Sequence, residues 1–186
     1  MVCFDLPNQD KEQALDVAVS ITTDLPAAIP PLEGVTLFNQ IASVAPNIYL
    51  SAATALDPLT LERLGLSLLI NVTTHLPLLP LEGVETVRVA VKDDAKSGNN
   101  LLPHFEGLTS RIRQEVNIGG VVLIHCAAGV SRSPTICLAY MIRYHGFTLK
   151  QAWKHLSTVR PWIRPNRAFM DQLHSWELRL REKRMG

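Results

Sequence analysis

The sequence is poor in cysteine, in net charge and in long apolar runs. Its three cysteines, Cys3, Cys126 and Cys137, are too few for the disulfide framework of a small secreted domain. The net charge of +1 excludes a strong electrostatic attraction to nucleic acid or to an anionic membrane. No apolar run has the roughly 20 residues that a membrane-spanning helix needs. We therefore expect a soluble protein with no nucleic-acid partner and no integral membrane association.

Targeting features are also missing at the start of the chain. Residues 1–13 lack the apolar core of a signal peptide, and Val2 stands where N-myristoylation requires glycine. A reactive thiol is best kept in a reducing compartment. The sequence therefore predicts an intracellular protein, in the cytoplasm and with the nucleus as a second candidate.

The composition divides the chain into one domain and two ends. Residues 1–40 mix charged, small and proline-containing pieces, with one helical pattern over Asp10–Ser20 that stops before Pro26. We expect an N-terminal extension over residues 1–40, a folded domain over 41–181 and a charged tail over 182–186.

Strand and helix patterns alternate through the domain. The expected strands are a hairpin over Ile41–Ser51, then Ser67–Val72, Glu85–Val91 and Gly120–Ile124. The expected helices begin at Asp57-Pro58 and then cover Leu101–Val116, Ser133–His145, Thr148–Val159 and Asn166–Arg181. This order predicts an α/β fold, with a central, mostly parallel, twisted sheet of about five strands and helices on both faces. Ligands of such sheets bind at the carboxyl ends of the strands.

One short stretch combines several reactive features. Residues 125–133 read H-C-x5-R-S and lie between a buried strand and the start of a helix. Successive backbone N–H groups of such a loop can point at one spot and form an anion-binding nest. The helix that follows adds unpaired amides and the positive end of its dipole. We therefore expect a phosphate to bind in this phosphate loop, residues 126–132.

The two ends of the phosphate loop suggest complementary roles. A thiol at Cys126, beside these amides, should lose its proton well below its free pKa of about 8.5 and act as a nucleophile at neutral pH. Arg132 offers a planar fork of donors that can hold two phosphate oxygens at once. The predicted phosphate-binding residues are Ala127, Ala128, Gly129, Val130, Ser131 and Arg132.

The stretch from His125 to Ser133 resembles the signature loop of the cysteine-dependent protein phosphatases of the protein tyrosine phosphatase superfamily. Its sequence, H-C-A-A-G-V-S-R-S-P, is most similar to that of the atypical dual-specificity protein phosphatases. The resemblance extends over residues 41–177 and includes Asn47–Ser51, Ile70–Val72 and the R-P…R-P-N stretch of Arg160–Asn166.

This resemblance implies a phosphatase-like fold and an enzyme that hydrolyses phosphotyrosine, phosphoserine and phosphothreonine. The reaction would pass through a cysteinyl-phosphate intermediate and use no cofactor and no metal. The expected partners are phosphorylated protein substrates, with kinases of signalling cascades among the candidates.

A general acid is expected near the loop, because the leaving oxygen needs a proton. In the enzymes that the chain resembles, the acid follows a V-x-V-x-D pattern, which here ends at Asp93. Counting back from the predicted helix at Asn100 favours Asp94 instead, so Asp93 is preferred and Asp94 stays the alternative. The family match also implies that the Ser133 hydroxyl donates to the Cys126 sulfur; otherwise Ser133 is a common helix N-terminal serine.

Two further polar residues support the site. We expect His125 to be a buried, hydrogen-bonded scaffold residue rather than a proton shuttle, because the amide nest already activates the thiol. Asn71, at the end of a predicted buried strand, is either a satisfied turn residue or, by analogy with the family, a side chain that braces the phosphate loop. Cys137 is expected to be a small buried residue of the following helix.

The substrate class rests on what the loop lacks. The residues between Cys126 and Arg132 include no lysine, whereas inositol-phosphate phosphatases of this superfamily place extra cations there. Two alternatives stay open, a phosphate-binding adaptor without turnover and an RNA 5′-phosphatase with the same loop. The intact Cys126 and Arg132 argue against the first, and the near-neutral charge argues against the second.

Overall fold

A sheet of five strands forms the centre of the structure, a computed structural model that describes residues 39–95 and 100–186. The expected helix at Asp10–Ser20 lies outside the described residues. The strands are β1 (Ala42–Ala45), β2 (Ile48–Ala52), β3 (Leu68–Asn71), β4 (Glu85–Arg88) and β5 (Val122–Cys126). Their spatial order is β1-β2-β5-β3-β4, with β1 antiparallel to β2 and the other neighbours parallel. The predicted sheet and its mostly parallel pairing are confirmed.

Strand β4 is shorter than expected. The pattern predicted a strand from Glu85 to Val91, but the strand ends at Arg88. Val89 and Val91 are nevertheless both buried, as the alternating pattern predicted. The N–H of Val91 donates to the carbonyl of Val89 at 2.9 Å, and this tight turn takes the chain out of the sheet. The turn directs the following residues toward the phosphate loop.

In the described ranges, five α-helices flank the sheet, and each starts within one residue of its predicted start. They are α1 (Pro58–Arg63), α2 (Leu102–Asn117), α3 (Arg132–Tyr144), α4 (Leu149–Val159) and α5 (Arg167–Met185). Capping side chains explain three of these starts: Asp57 accepts from Thr60 N, Thr148 forms a capping box with Gln151, and Asn166 accepts from Phe169 N. Among the described residues, no helix is both long and apolar enough to cross a membrane.

Helix α5 continues beyond the expected boundary at Arg181 and ends at Met185. Arg184 explains the extension, because its Nη2 donates to the carbonyls of Ile142 and Arg143 at 3.2 and 3.1 Å. These carbonyls lie in the last turn of α3, whose C-terminal carbonyls lack partners within the helix. The helix therefore includes residues 182–185, which the composition set apart as a tail.

Helices lie on both faces of the sheet, as predicted. On one face, Leu61 of α1 packs with Leu69 and Leu123. On the other face, α3 is buried along nearly its whole length and packs against α2, α4 and α5. The Trp176 indole of α5 donates to the carbonyl of Ala139 at 3.1 Å. Helix α3 therefore follows the phosphate loop directly into the core, which fixes its first turn.

We expect Gly120→Ala to lower the free energy of unfolding by about 1–3 kcal/mol, the usual cost of overpacking. A Cβ at Gly120 would lie 2.6 Å from Ser67 Oγ and 2.8 Å from the carboxyl carbon of Glu115. Glu115 is buried and accepts from Arg111 at 2.7 Å, so its carboxylate cannot easily move. Urea denaturation measures the change.

The control is Gly107→Ala in α2, where an added Cβ has no neighbour within 4 Å. Alanine should raise the free energy of unfolding there by up to about 1 kcal/mol through helix propensity. Equal midpoints for wild type and Gly120→Ala would contradict the packing described at the start of β5.

Candidate active site

The phosphate loop lies at the carboxyl end of the central strand. Strand β5 ends at Cys126 and α3 begins at Arg132, so the loop joins a buried strand to a buried helix. Its second residue is held by the segment that follows the neighbouring strand β2, because Ala53 N donates to the carbonyl of Ala127 at 3.1 Å. The structure thus brings the predicted nucleophile and the predicted phosphate-binding arginine to the two ends of one short loop.

Arg160 binds the loop from behind. Its side chain is fully buried; Nε donates to the carbonyl of Gly129 at 2.7 Å and Nη2 to that of Ala128 at 3.3 Å. A third donor, Nη1, reaches the carbonyl of Gln40 at 2.9 Å. Because these carbonyls point toward Arg160, the guanidinium holds the loop in a single conformation. Burial lowers the pKa of Arg160 to about 10, so it stays charged at neutral pH.

Arg160 was predicted only as part of the R-P…R-P-N stretch that carries the family resemblance, with no role of its own. Its acceptors in the phosphate loop lie 31 and 32 positions away in the sequence, so no local pattern indicated this contact.

Gly129 is required by this arrangement. Its φ is +64°, a left-handed backbone conformation that residues other than glycine rarely adopt. A Cβ there would lie 2.5 Å from Arg160 Nη2 and 2.7 Å from the carbonyl of Ser51. The glycine therefore allows both the turn of the loop and the close approach of Arg160.

The sulfur of Cys126 has one hydroxyl neighbour. Ser133 Oγ donates to Cys126 Sγ at 3.2 Å, and both residues are buried. Ser133 is in the first turn of α3, where the sequence placed it. The hydroxyl can stabilise negative charge on the sulfur by a charge-assisted hydrogen bond.

Arg132 extends from the other end of the loop toward the turn after β4. Its Nη1 donates to the carbonyl of Val91 at 3.4 Å, and its Nε lies 3.6 Å from Asp93 Oδ2. Within the described ranges, Nε is buried and has no hydrogen-bond partner. A buried guanidinium N–H without an acceptor suits a site for an oxyanion.

The structure brings Asp93 to the loop. Its Oδ1 accepts from Ser131 Oγ at 2.8 Å and from Asn166 Nδ2 at 2.9 Å, while Oδ2 faces Arg132. The side chain keeps 32% of its surface exposed, so the carboxyl lies at the border between loop and solvent. Asp93 as a whole residue and Asp94, the alternative candidate, are both exposed.

His125 lies beneath the loop and is 2% exposed. Burial lowers its pKa to about 4, so the imidazole is neutral at pH 7. The imidazole is enclosed as expected, but among the described residues its Nδ1 has no hydrogen-bond partner. Cys137 is also buried, and burial raises its pKa, as expected for a packing residue.

Asn71 braces a different loop from the one suggested by analogy. Its Nδ2 donates to the carbonyls of Leu76 and Pro77 at 3.5 and 3.3 Å, and its Oδ1 accepts from Thr73 Oγ1 at 2.6 Å. These bonds hold the loop after β3 and favour the interpretation as a turn residue. In the described part of the chain, Asn71 reaches the phosphate loop only through strand pairing with His125.

Comparison with known proteins agrees with this geometry. The family described as "Dual specificity phosphatase, catalytic domain" matches residues 48–179. Human dual specificity phosphatase 28 is 35% identical over 138 residues, which cover 74% of this chain and 77% of that protein. Dual specificity protein phosphatase 18 of Bos taurus is 33% identical over 159 residues, covering 85% and 84%.

Solved structures share the fold. A mouse protein described as a dual specificity phosphatase, crystallised with zinc tungstate, has a TM-score of 0.76 at 32% identity, covering 84% of this chain and 97% of its own. Human DUSP28 has a TM-score of 0.72 at 33% identity, covering 77% and 99%.

The fold and these matches define a protein phosphatase, whose substrates are phosphorylated proteins. Within that class, the chain belongs to the dual specificity phosphatase family.

We expect acid to destabilise the fold through His125. The unfolded imidazole binds a proton below its ordinary pKa of 6.5, whereas the folded one does so only near 4. Between these values the unfolded state binds more protons, so its population rises as pH falls. The loss between pH 7 and pH 5 should be about 2 kcal/mol.

Urea denaturation of wild type and His125→Gln at both pH values measures this contribution. The difference between pH 7 and pH 5 should shrink by about that amount in the variant. The same pH dependence in both proteins would show that His125 is protonated alike in the folded and unfolded states.

Proposed function

We propose that the protein hydrolyses phosphotyrosine and phosphoserine or phosphothreonine in proteins through a phosphocysteine at Cys126. The observation that carries the proposal is the hydrogen bond from Ser133 Oγ to Cys126 Sγ at 3.2 Å. Cys126 begins the phosphate loop, and Arg132 and Ser133 lie at its other end, in the first turn of α3. The arrangement supplies a nucleophile, a phosphate-binding group and a stabiliser of the sulfur within eight residues, 126–133.

In the first step, the Cys126 thiolate attacks phosphorus and forms the S–P bond. The bond from phosphorus to the substrate oxygen breaks, and its electron pair stays on that oxygen. Arg132 and the loop amides hold the three other phosphate oxygens, whose charge must be stabilised in the transition state. Asp93 donates a proton to the leaving oxygen, which is typically worth 10²–10⁴ in rate.

In the second step, the Asp93 carboxylate accepts a proton from water while the water oxygen attacks phosphorus. The S–P bond breaks, and the sulfur leaves as a thiolate that accepts the hydrogen bond of Ser133. Inorganic phosphate departs and the enzyme returns to its starting state.

Asp93 is the better proposal for the acid than Asp94. Its carboxyl is already hydrogen-bonded to Ser131 of the phosphate loop and lies 3.6 Å from the guanidinium of Arg132. A general acid must lie within hydrogen-bond reach of the leaving oxygen, and geometry is the first criterion.

The loop chemistry supports phosphoprotein substrates. Residues 127–131 contribute backbone amides, small or apolar side chains and one hydroxyl, but no lysine. Tungstate, a tetrahedral oxyanion like phosphate, accompanies the mouse relative, which supports a loop that accepts such an ion here. Phosphorylated kinases of signalling cascades, met in the cytoplasm or nucleus, are included in the proposal.

Cys126→Ser tests the nucleophile. Release of p-nitrophenol from p-nitrophenyl phosphate should fall by at least about 10³-fold, because a serine hydroxyl is a much weaker nucleophile than a thiolate. Binding of tungstate, measured by calorimetry, should persist because the amides and Arg132 are unchanged. A turnover close to that of wild type would reject Cys126 as the nucleophile.

Matched substrates test the class. We expect kcat/KM on phosphotyrosine and phosphothreonine peptides to exceed that on soluble phosphoinositides by at least about tenfold, because the loop lacks added cations. Cys126→Ser serves as the blank for contaminating activity. A preference for phosphoinositides, or for the 5′-triphosphate of an RNA, would overturn the assignment.

A further inference from the structure

Asn166 does more than cap a helix. Its side-chain oxygen accepts from Phe169 N at 3.0 Å, which is the capping contact of α5. Its side-chain nitrogen points the other way and donates to Asp93 Oδ1 at 2.9 Å. The cap needs only the oxygen, so the bond to Asp93 calls for a separate explanation.

The contact belongs to a closed set of hydrogen bonds. Ser131 Oγ donates to the same Asp93 Oδ1 at 2.8 Å and accepts from the backbone N–H of Asn166 at 3.3 Å. Asp93, the phosphate loop and the start of α5 are therefore linked in one network, although they lie far apart in the sequence. Because each member restrains the other two, the carboxyl is held in one orientation.

The two oxygens of Asp93 have different surroundings. Oδ1 accepts two hydrogen bonds, one from Ser131 and one from Asn166. Oδ2 lies 3.6 Å from Nε of Arg132, the group proposed to hold phosphate. A carboxylic acid whose one oxygen already accepts two donors carries its proton on the other. When the carboxyl carries a proton, that proton is therefore on Oδ2, the oxygen on the side of Arg132.

We propose that Asn166 is a positioning residue for the general acid: its amide, with the Ser131 hydroxyl, holds Oδ1 of Asp93 and leaves Oδ2 to carry and deliver the proton. The inference rests on the proposed function, in which Asp93 is the acid.

The amide suits both tasks. Serine, threonine and aspartate also cap helices, but ionised aspartate has no donor, and the short side chains of serine and threonine do not extend to Asp93. Asparagine combines the capping acceptor with a donor on the opposite side of the same planar group. Replacement of Asn166 by serine therefore separates the two roles.

The test uses the full-length protein and two aryl phosphates. Phenol is a poor leaving group and needs protonation, whereas 2,4-dinitrophenol leaves as a stable anion. For Asn166→Ser we expect kcat/KM on phenyl phosphate, which reports the step in which the leaving oxygen departs and not the later release of phosphate from Cys126, to fall by about tenfold, a part of the usual contribution of a general acid. On 2,4-dinitrophenyl phosphate it should fall less than twofold.

A merely structural role would give a different pattern, because loss of folded enzyme lowers both rates by the same factor. Thr148→Ala removes the side-chain cap of α4 and should leave the ratio of the two rates unchanged. If Asn166→Ser folds poorly, Asn166→Thr offers the same separation of roles. Equal losses on both substrates would overturn the inference.

The variant Asp93→Asn completes a double-mutant cycle. If Asn166 acts through Asp93, adding Asn166→Ser to Asp93→Asn should not lower the rate on phenyl phosphate further. An undiminished second loss would overturn the positioning role while leaving Asp93 as the acid. If Asp93→Asn itself lowered kcat/KM on both substrates by the same factor, Asp93 would not be the acid. This part of the proposed function would then fail together with the inference.

Discussion

The contact on which the phosphate loop depends is that of a buried cation with backbone carbonyls. A charged side chain buried without partners is costly, so the guanidinium of Arg160 needs acceptors, and the carbonyls of Ala128 and Gly129 supply them. Turning these carbonyls toward Arg160 restricts where the amides of the same peptide groups can point. The same charge also attracts negative charge at Cys126, which in turn raises the pKa of Arg160 against the effect of burial.

Site residues come from several parts of the chain, and the fold brings them together at one end of the sheet. The parallel pairing of β3 and β5 aligns their carboxyl ends, and α3 runs from the loop into the core. A tight turn after β4 then delivers Asp93 to the loop from the side. A strand and a helix therefore carry the proposed nucleophile and its arginine, whereas the proposed acid lies on a connecting segment and is held by hydrogen bonds.

Local patterns predicted what depends on local physics. Apolar periodicity located the strands and helices, and the spacing of Cys126 and Arg132 identified the loop, because both signals lie within a few consecutive residues. Contacts between distant segments left no such signal. The bonds of Arg160 to Gly129 and of Asn166 to Asp93 join residues 31 and 73 positions apart. The end of β4 was predicted at Val91 instead of Arg88 for a related reason. Val89 and Val91 are buried, but they lie in a turn and not in a strand.

Through its third donor, Arg160 also connects the phosphate loop to the N-terminal edge of the described domain. Its Nη1 binds the carbonyl of Gln40, the last residue of the segment that composition alone would set aside as an extension. Without that peptide group, the buried guanidinium of Arg160 would have one hydrogen-bond acceptor fewer. The same guanidinium binds the carbonyls of the phosphate loop. The contacts that hold the phosphate loop therefore extend to residue 40, one position ahead of the expected start of the domain.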